Sequence, residues 1–474
     1  MLRKCGVVAF FCLLLSAFPV QANAAGQRPP YFETSDCGFQ IPVGKRVVCG
    51  DVTVLELHKV PAGRTIKLHV AIFKAESRSP FRDPIIYLDG GPGGQTFTAL
   101  NRRLPGFLPY MVDRDFILFD QRGIGLSQPA LNCPEMLATS FAWLDRPLNS
   151  AQSGLAEMAA MRQCHDRLVK AGINLSAYNS AESATDVHDL QVALGYKSWN
   201  LYGVSYGTRL ALITVRDFPD GIRSVVLDST FPPDRAIDGS GLGDNASRAF
   251  NLLFDSCTKD PPCNTDYPGL RKVYNQLLSR LSKSPIPVNE IDPITGKNYT
   301  MLLDSNRVEE GIYLALYSRQ IIPMLPAAIT TAADGDYRLI SSLAFRSYLV
   351  DEEISLGMYY AVDCADRLFP PVLCGLWGVQ PNVPQKPKPV VSSIPTLVLA
   401  GQYDPITSPE FGATAAKTLK RSYYFMFPGF GHGVSVAGIC PAQIMLQFLA
   451  RPAEKPDSRC IARLSAPAWT SVDF

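Results

Sequence analysis

The chain has 474 residues, of which 47% are hydrophobic and 19% charged, and a formal net charge of +2 at pH 7. That length asks for two or three domains, or one domain carrying a large insertion, and the composition excludes an intrinsically disordered chain. The near balance of charge excludes a strong field for nucleic acid or an anionic membrane.

The chain opens on a basic Met1-Leu2-Arg3-Lys4, followed by an almost wholly apolar run from Cys5 to Val20 and the small residues Ala22-Asn23-Ala24. This pattern predicts a secretory signal peptide over 1–24, too short for a membrane span, and hence a secreted or periplasmic protein not inserted in the membrane after cleavage. Twelve cysteines occur, and two of them, Cys5 and Cys12, lie in the signal. The others are even in number and fall as neighbours: Cys37 and Cys49, Cys133 and Cys164, Cys257 and Cys263, Cys364 and Cys374, Cys440 and Cys460. In an oxidising compartment they read as disulfides. Nearest-neighbour pairing is the expectation, although spacing alone leaves connectivity open. With no Cys-x-x-Cys and only five histidines, neither a metal nor another cofactor is expected.

The first strand-like stretches, "DVTVLEL" (51–57) and "TIKLHVAIF" (65–73), alternate apolar and polar residues. The next, "IIYLD" (85–89) and "FILFD" (116–120), are continuous apolar runs of the kind buried on both faces of a parallel sheet. Between them lies "LDGGPGGQ" (88–95), a glycine-rich loop whose backbone N–H groups can face a ligand; no Gly-Lys-Ser/Thr ends it, so it is not a phosphate loop. A helical pattern over 183–195 precedes the strand "SWNLYG" (198–203), which runs into Gly203-Val204-Ser205-Tyr206-Gly207 and a further helix-like stretch. "SVVLD" (224–228) follows. Alternation then breaks, with helix-like segments near 246–257, 267–283, 306–319 and 335–350 and a Pro-rich return over 379–395. "TLVLAG" (396–401) and "SYYFMF" (422–427) resume the strand pattern. The plan is α/β, a mostly parallel sheet flanked by helices. A first core part spans 25–230, a mainly helical cap 231–390 is inserted between core strands, and 391–474 completes the core.

The strand–turn–helix context makes Ser205 a candidate nucleophile, since small residues at 203 and 207 permit the tight turn that lifts its hydroxyl above the sheet. A serine needs a base. Of His58, His69, His165, His188 and His432, only His432 sits on a glycine-flanked loop after a buried strand, in "PGFGHGVS" (428–435). Loops at the C-terminal ends of parallel strands are where reactive groups gather. Asp404, in "AGQYDPITSP" (400–409), is the favoured acid, and Asp228 is its rival. The backbone N–H groups of Gly91 and Tyr206 are the candidate oxyanion hole.

Together "GGPGG" (90–94), "FDQRGIGLSQP" (119–129), "GVSYGTRLA" (203–211), "AGQYDPITSP" (400–409), "GHG" (431–433) and "YAVDCADR" (360–367) resemble an α/β-hydrolase of the prolyl aminopeptidase and secreted tripeptidyl aminopeptidase family, over about residues 50 to 460. Prolyl aminopeptidases carry His before Gly-Gly-Pro-Gly; Asp89 stands here, which tilts the resemblance to the tripeptidyl branch. The resemblance implies the α/β-hydrolase fold. It also implies a serine exopeptidase acting near the free N-terminus of short peptides, with Ser205 attacking, His432 moving the proton and Asp404 orienting it. The cap would supply carboxylates for the substrate's ammonium, with Glu309, Glu353 and Asp366 as candidates beside Glu310, Glu352 and Asp363. The alternative is a carboxylesterase or lipase on the same fold.

Overall fold

The computed structural model describes residues 28–148, 150–235, 239–384, 387–464 and 467–470. The segment over 1–24, expected as a signal peptide, lies with Cys5 and Cys12 outside the described residues.

Eleven strands are described: β1 (Tyr31–Thr34), β2 (Val47–Leu55), β3 (Thr65–Phe73), β4 (Ile85–Leu88), β5 (Phe116–Phe119), β6 (Trp199–Val204), β7 (Ile222–Asp228), β8 (Ile286–Ile291), β9 (Asn298–Leu303), β10 (Thr396–Gly401) and β11 (Ser422–Phe427). Nine of them form one sheet in the order β1-β2-β3-β5-β4-β6-β7-β10-β11. Pairing is antiparallel from β1 through β3 to β5. It is parallel from β5 through β4, β6, β7 and β10 to β11.

Period-two geometry explains why β4 and β5 read as unbroken apolar runs. Ile86, Leu88, Ile117 and Phe119 face one side, packed with Leu210 and Ile213 of helix Tyr206–Asp217 and Leu190 of helix Ser180–Leu194. Ile85, Tyr87, Phe116 and Leu118 face the other, packed with Leu100 and Phe107 of helix Leu100–Phe107 and Ile444 and Phe448 of helix Ile439–Ala450. Every one of these strand side chains is buried, so truncating one such as Leu118 to Ala costs about 2–5 kcal/mol.

Five disulfides join neighbouring cysteines: Cys37–Cys49, Cys133–Cys164, Cys257–Cys263, Cys364–Cys374 and Cys440–Cys460.

Between β7 and β10 the chain is mostly helical, and β8 and β9 add an antiparallel hairpin that the sequence pattern did not suggest. The second hydrophobic cluster takes in Ala249 to Tyr348 and, from before β6, Leu144. Leu302 N–H donates to Leu144 O (2.8 Å) and the Arg307 guanidinium to Arg146 O (2.8 Å), so the segment near 141–148 belongs to the cap layer. Met358, Ala361, Val362, Ala365 and Trp377, within the stretch expected as cap, pack in the cluster that also holds the sheet strands. Their apolar stripe at helical spacing finds its partner on the sheet face.

Candidate active site

Four loops, after β4, β6, β10 and β11, lie at the C-terminal ends of the parallel strands. The tightest is the turn between β6 and helix Tyr206–Asp217. Ser205 sits there at φ 58°, ψ −125°, a backbone state that non-glycine residues rarely adopt. Its N–H donates to Asp228 O (3.0 Å) at the end of β7. Both flanking glycines are sterically required. A Cβ at Gly203 would lie 2.3 Å from Gly207 O, and one at Gly207 would lie 1.9 Å from Leu88 O. Strain at Ser205 is thus held in place by backbone packed against backbone.

The loop after β4 lies directly against this turn, since a Cβ on Gly90 would come within 2.9 Å of the Ser205 Cβ. Gly91 and Gly93 take φ of +111° and +93°. Asp89, which stands where the prolyl branch carries His, is 4% exposed and anchors the loop. Its carboxylate accepts from Gly90 N–H (2.8 Å) and the Tyr87 hydroxyl (3.0 Å) and pairs with Arg103. From the other side Ser355 N–H donates to Gly93 O (2.7 Å) and Gln95 N–H to Glu353 O (2.8 Å).

Asp404 follows β10 and is fully buried. Its Oδ1 accepts the N–H groups of Ile406 (3.0 Å) and Thr407 (2.9 Å). Its Oδ2 accepts the Thr407 hydroxyl (2.8 Å) and lies 2.8 Å from His432 Nδ1. Burial alone would raise this carboxyl, but the adjoining imidazole and the Thr407 donors outweigh it and hold it below its ordinary range. The His432 ring responds in kind: burial pulls it down, the Asp404 carboxylate and the more distant Asp228 charge push it up, and the net direction is up.

Asp228, the rival acid, is occupied otherwise. Its carboxylate accepts the N–H groups of Val434 (3.0 Å) and Ser435 (2.8 Å) and the Ser435 hydroxyl, which ties the histidine loop to the end of β7. Gly433 N–H donates to the Ser229 hydroxyl (2.8 Å) in the same seam. Across the ring, Tyr317 lies 4.8 Å away between ring centroids, tilted by 50°, and its carbonyl accepts His432 N–H (3.0 Å).

The candidate carboxylates Asp366, Glu353 and Glu309 have different surroundings. Asp366 is buried and spends its Oδ2 on Arg209 Nε (2.8 Å) and the Ser180 hydroxyl (2.7 Å). Glu353 pairs with Arg102 (Nε to Oε1, 3.2 Å) beside the Gly90–Gly94 loop. Glu309 is exposed on helix Ser305–Ala315. Thr407 and Tyr317 were not singled out from the sequence. Thr407 was within reach, because a threonine three residues beyond an aspartate marks a side-chain-capped turn; Tyr317 touches His432 only through the fold. Among the described residues no cluster of metal-ligating side chains occurs.

Residues 83–252 match the family model described as alpha/beta hydrolase fold, and residues 364–460 the model described as TAP-like protein. The chain is 24% identical to YuaR of Escherichia coli (strain K12), over 95% of this chain and 94% of that one. It is 25% identical to the serine protease Hip1 of Mycobacterium tuberculosis (strain ATCC 25618 / H37Rv), over 84% of each. It is 31% identical to the tripeptidyl aminopeptidase of Streptomyces lividans, over 42% of this chain and 38% of that one.

Proposed function

We propose that this chain, an α/β hydrolase of serine-peptidase type with aminopeptidase relatives, is a secreted serine exopeptidase. It removes short pieces from the free N-terminus of peptides. The observation that carries the reading is the 2.8 Å contact between His432 Nδ1 and the buried Asp404, beside a serine held at φ 58° on the turn after β6. A carboxylate on Nδ1–H leaves Nε2 as the lone-pair nitrogen, the tautomer a general base needs.

In the proposed cycle His432 Nε2 takes the Ser205 hydroxyl proton as Oγ attacks the scissile carbonyl carbon. The tetrahedral oxyanion is met by the N–H groups of Tyr206 and Gly91, each donor being worth about 3 kcal/mol in the transition state. His432 then gives its proton to the leaving amine, the C–N bond breaks, and an acyl-enzyme remains on Ser205. Water, deprotonated by the same nitrogen, releases the acid and restores the serine. No cofactor enters the cycle. Five disulfides suit an oxidising compartment, which supports export.

An exopeptidase must recognise the free ammonium. Glu353 is the carboxylate we assign to it, because it adjoins the Gly90–Gly94 loop and its partner Arg102 is more than half exposed and displaceable. The test compares free and N-acetylated peptides by mass spectrometry. Free peptides are expected to turn over and acetylated ones not, and Glu353→Gln is expected to raise KM for free peptides alone. Equal turnover of both, with faster cleavage of simple acyl esters, would instead support the carboxylesterase reading.

A further inference from the structure

The acid-bearing loop between β10 and residue 407 is gripped from outside the sheet. Arg248, on cap helix Gly239–Lys259, donates from Nη1 to Gln402 O (2.8 Å) and from Nη2 to Asp404 O (2.5 Å). One turn earlier on the same helix, Asn245 Nδ2 donates to Ile406 O (2.7 Å). A single cap helix thus holds the carbonyls at 402, 404 and 406, the outward-facing acceptors of the segment that carries the acid. The planar guanidinium suits this, because its two Nη groups reach two carbonyls in one fixed geometry, which a lysine ammonium cannot reproduce.

The histidine loop is held by the cap as well. His432 N–H donates to Tyr317 O (3.0 Å), and a Cβ on Gly431 would lie 2.1 Å from Leu316 O, so the two backbones are in direct contact. Leu316 and Tyr317 follow helix Ser305–Ala315 of the cap layer. The ring thus meets its acid between two loops, each of which leans on a different cap element.

We propose that Arg248 is a positioning residue for the triad: it sets the place of the Asp404 carboxylate through the backbone, so the alignment of acid and base depends on a docked cap. The inference rests on the functional reading above. Arg248 touches none of the reacting atoms. Glu410, 4.0 Å from its Nε, is the carboxylate within ion-pair reach, and Asp244 and Asp255 line the same groove. The His432 ring is faced by Asp404 from the acid loop, by Asp228 from the end of β7 and by Tyr317 from the cap.

The test uses the whole protein, with Arg248→Met, Arg248→Lys and Asn245→Ala. Turnover of a chromogenic ester and the rate of labelling by a fluorophosphonate are both followed against pH, and folding is checked by far-UV circular dichroism and Tm. Loosening the acid loop is expected to lower kcat by about tenfold to a hundredfold in Arg248→Met with KM unchanged. Weaker contact with the carboxylate lowers the pKa of His432, so the acidic limb of the profile moves to lower pH. Arg248→Lys restores part of the rate, and Asn245→Ala moves both quantities in the same direction by less. A folded Arg248→Met with wild-type kcat overturns the proposal. So does a rate lowered equally at every pH with the limb in place, the mark of lost folded protein alone. If Arg248→Met does not fold, an unmoved limb in Asn245→Ala overturns it. Failure of the wild type to label at all would strike the triad reading instead, which keeps the two apart.

Discussion

Replacing Asp404 by Asn keeps the size of the side chain and most of its surroundings. One oxygen can still accept the N–H groups of Ile406 and Thr407, at 3.0 and 2.9 Å in the parent. The amide nitrogen then takes the place of Oδ2 and points its hydrogens at His432 Nδ1, which lies 2.8 Å away. Nδ1 must then accept, the ring proton moves to Nε2, and Nε2 can no longer take the proton from Ser205. The imidazolium formed in the transition state also loses the only carboxylate in contact with its ring among the described residues. A change of tautomer at such a site costs roughly ten-thousandfold in kcat, equivalent to about 5.5 kcal/mol. The assay is kcat/KM on a free tripeptide anilide across pH, with near-UV circular dichroism as the check on packing. Because Asp404 raises the pKa of His432 in the parent, any residual activity of the variant should keep its acidic limb at lower pH. A folded Asp404→Asn enzyme within tenfold of the parent would refute the reasoning.

Gly207→Ala should abolish activity and lower Tm, because the new methyl would sit 1.9 Å from Leu88 O, where a backbone and not a flexible side chain must yield; a soluble, fully active variant would contradict this reading of the turn. A second prediction concerns His58, whose ring is in reach of Glu182, Asp186 and Asp189. Burial lowers its pKa, but the hydrogen bonds to Asp189 and Glu182 and the Asp186 charge outweigh this and leave it at about 9. The folded value exceeds the ordinary one, so the stabilisation is complete below about pH 6.5 and is lost as pH rises towards 9. Discounted for partial exposure, it is on the order of 2 kcal/mol. Urea unfolding of the parent and His58→Gln from pH 6 to 9.5 should show the gap between them closing, and a constant gap would count against it.

Strands with both faces covered were legible as unbroken apolar runs, and "TLVLAG" and "SYYFMF" coincide with β10 and β11 to the residue. The β8–β9 hairpin was not, because its inward Ile286 and Val288 alternate with exposed proline and asparagine and form no continuous run. The packing partner of the helices just before β10 left no trace for a related reason. The helix carrying Met358, Ala361 and Val362 has an ordinary amphipathic pattern, and nothing in that pattern says whether its apolar stripe meets the sheet or other cap helices. At the site, Ser205, Asp404 and His432 stood out because glycine turns after buried strands announce themselves locally. What holds them did not. Arg248 reaches the 402–406 loop across more than 150 residues of sequence, and Asp366, a candidate for the ammonium by its motif, is held by Arg209 from 157 residues away. Local chemistry leaves a local trace, whereas a partner brought by the fold leaves none.

Incubating the folded parent and Ser205→Ala with a fluorophosphonate, and locating the adduct by mass spectrometry of the digested protein, tests the central claim most directly. One phosphonate on the peptide containing residue 205 of the parent, with neither adduct nor peptide cleavage in the variant, is the predicted result. A parent that stays unlabelled while it cleaves peptides, or a Ser205→Ala protein that retains its activity, would contradict it.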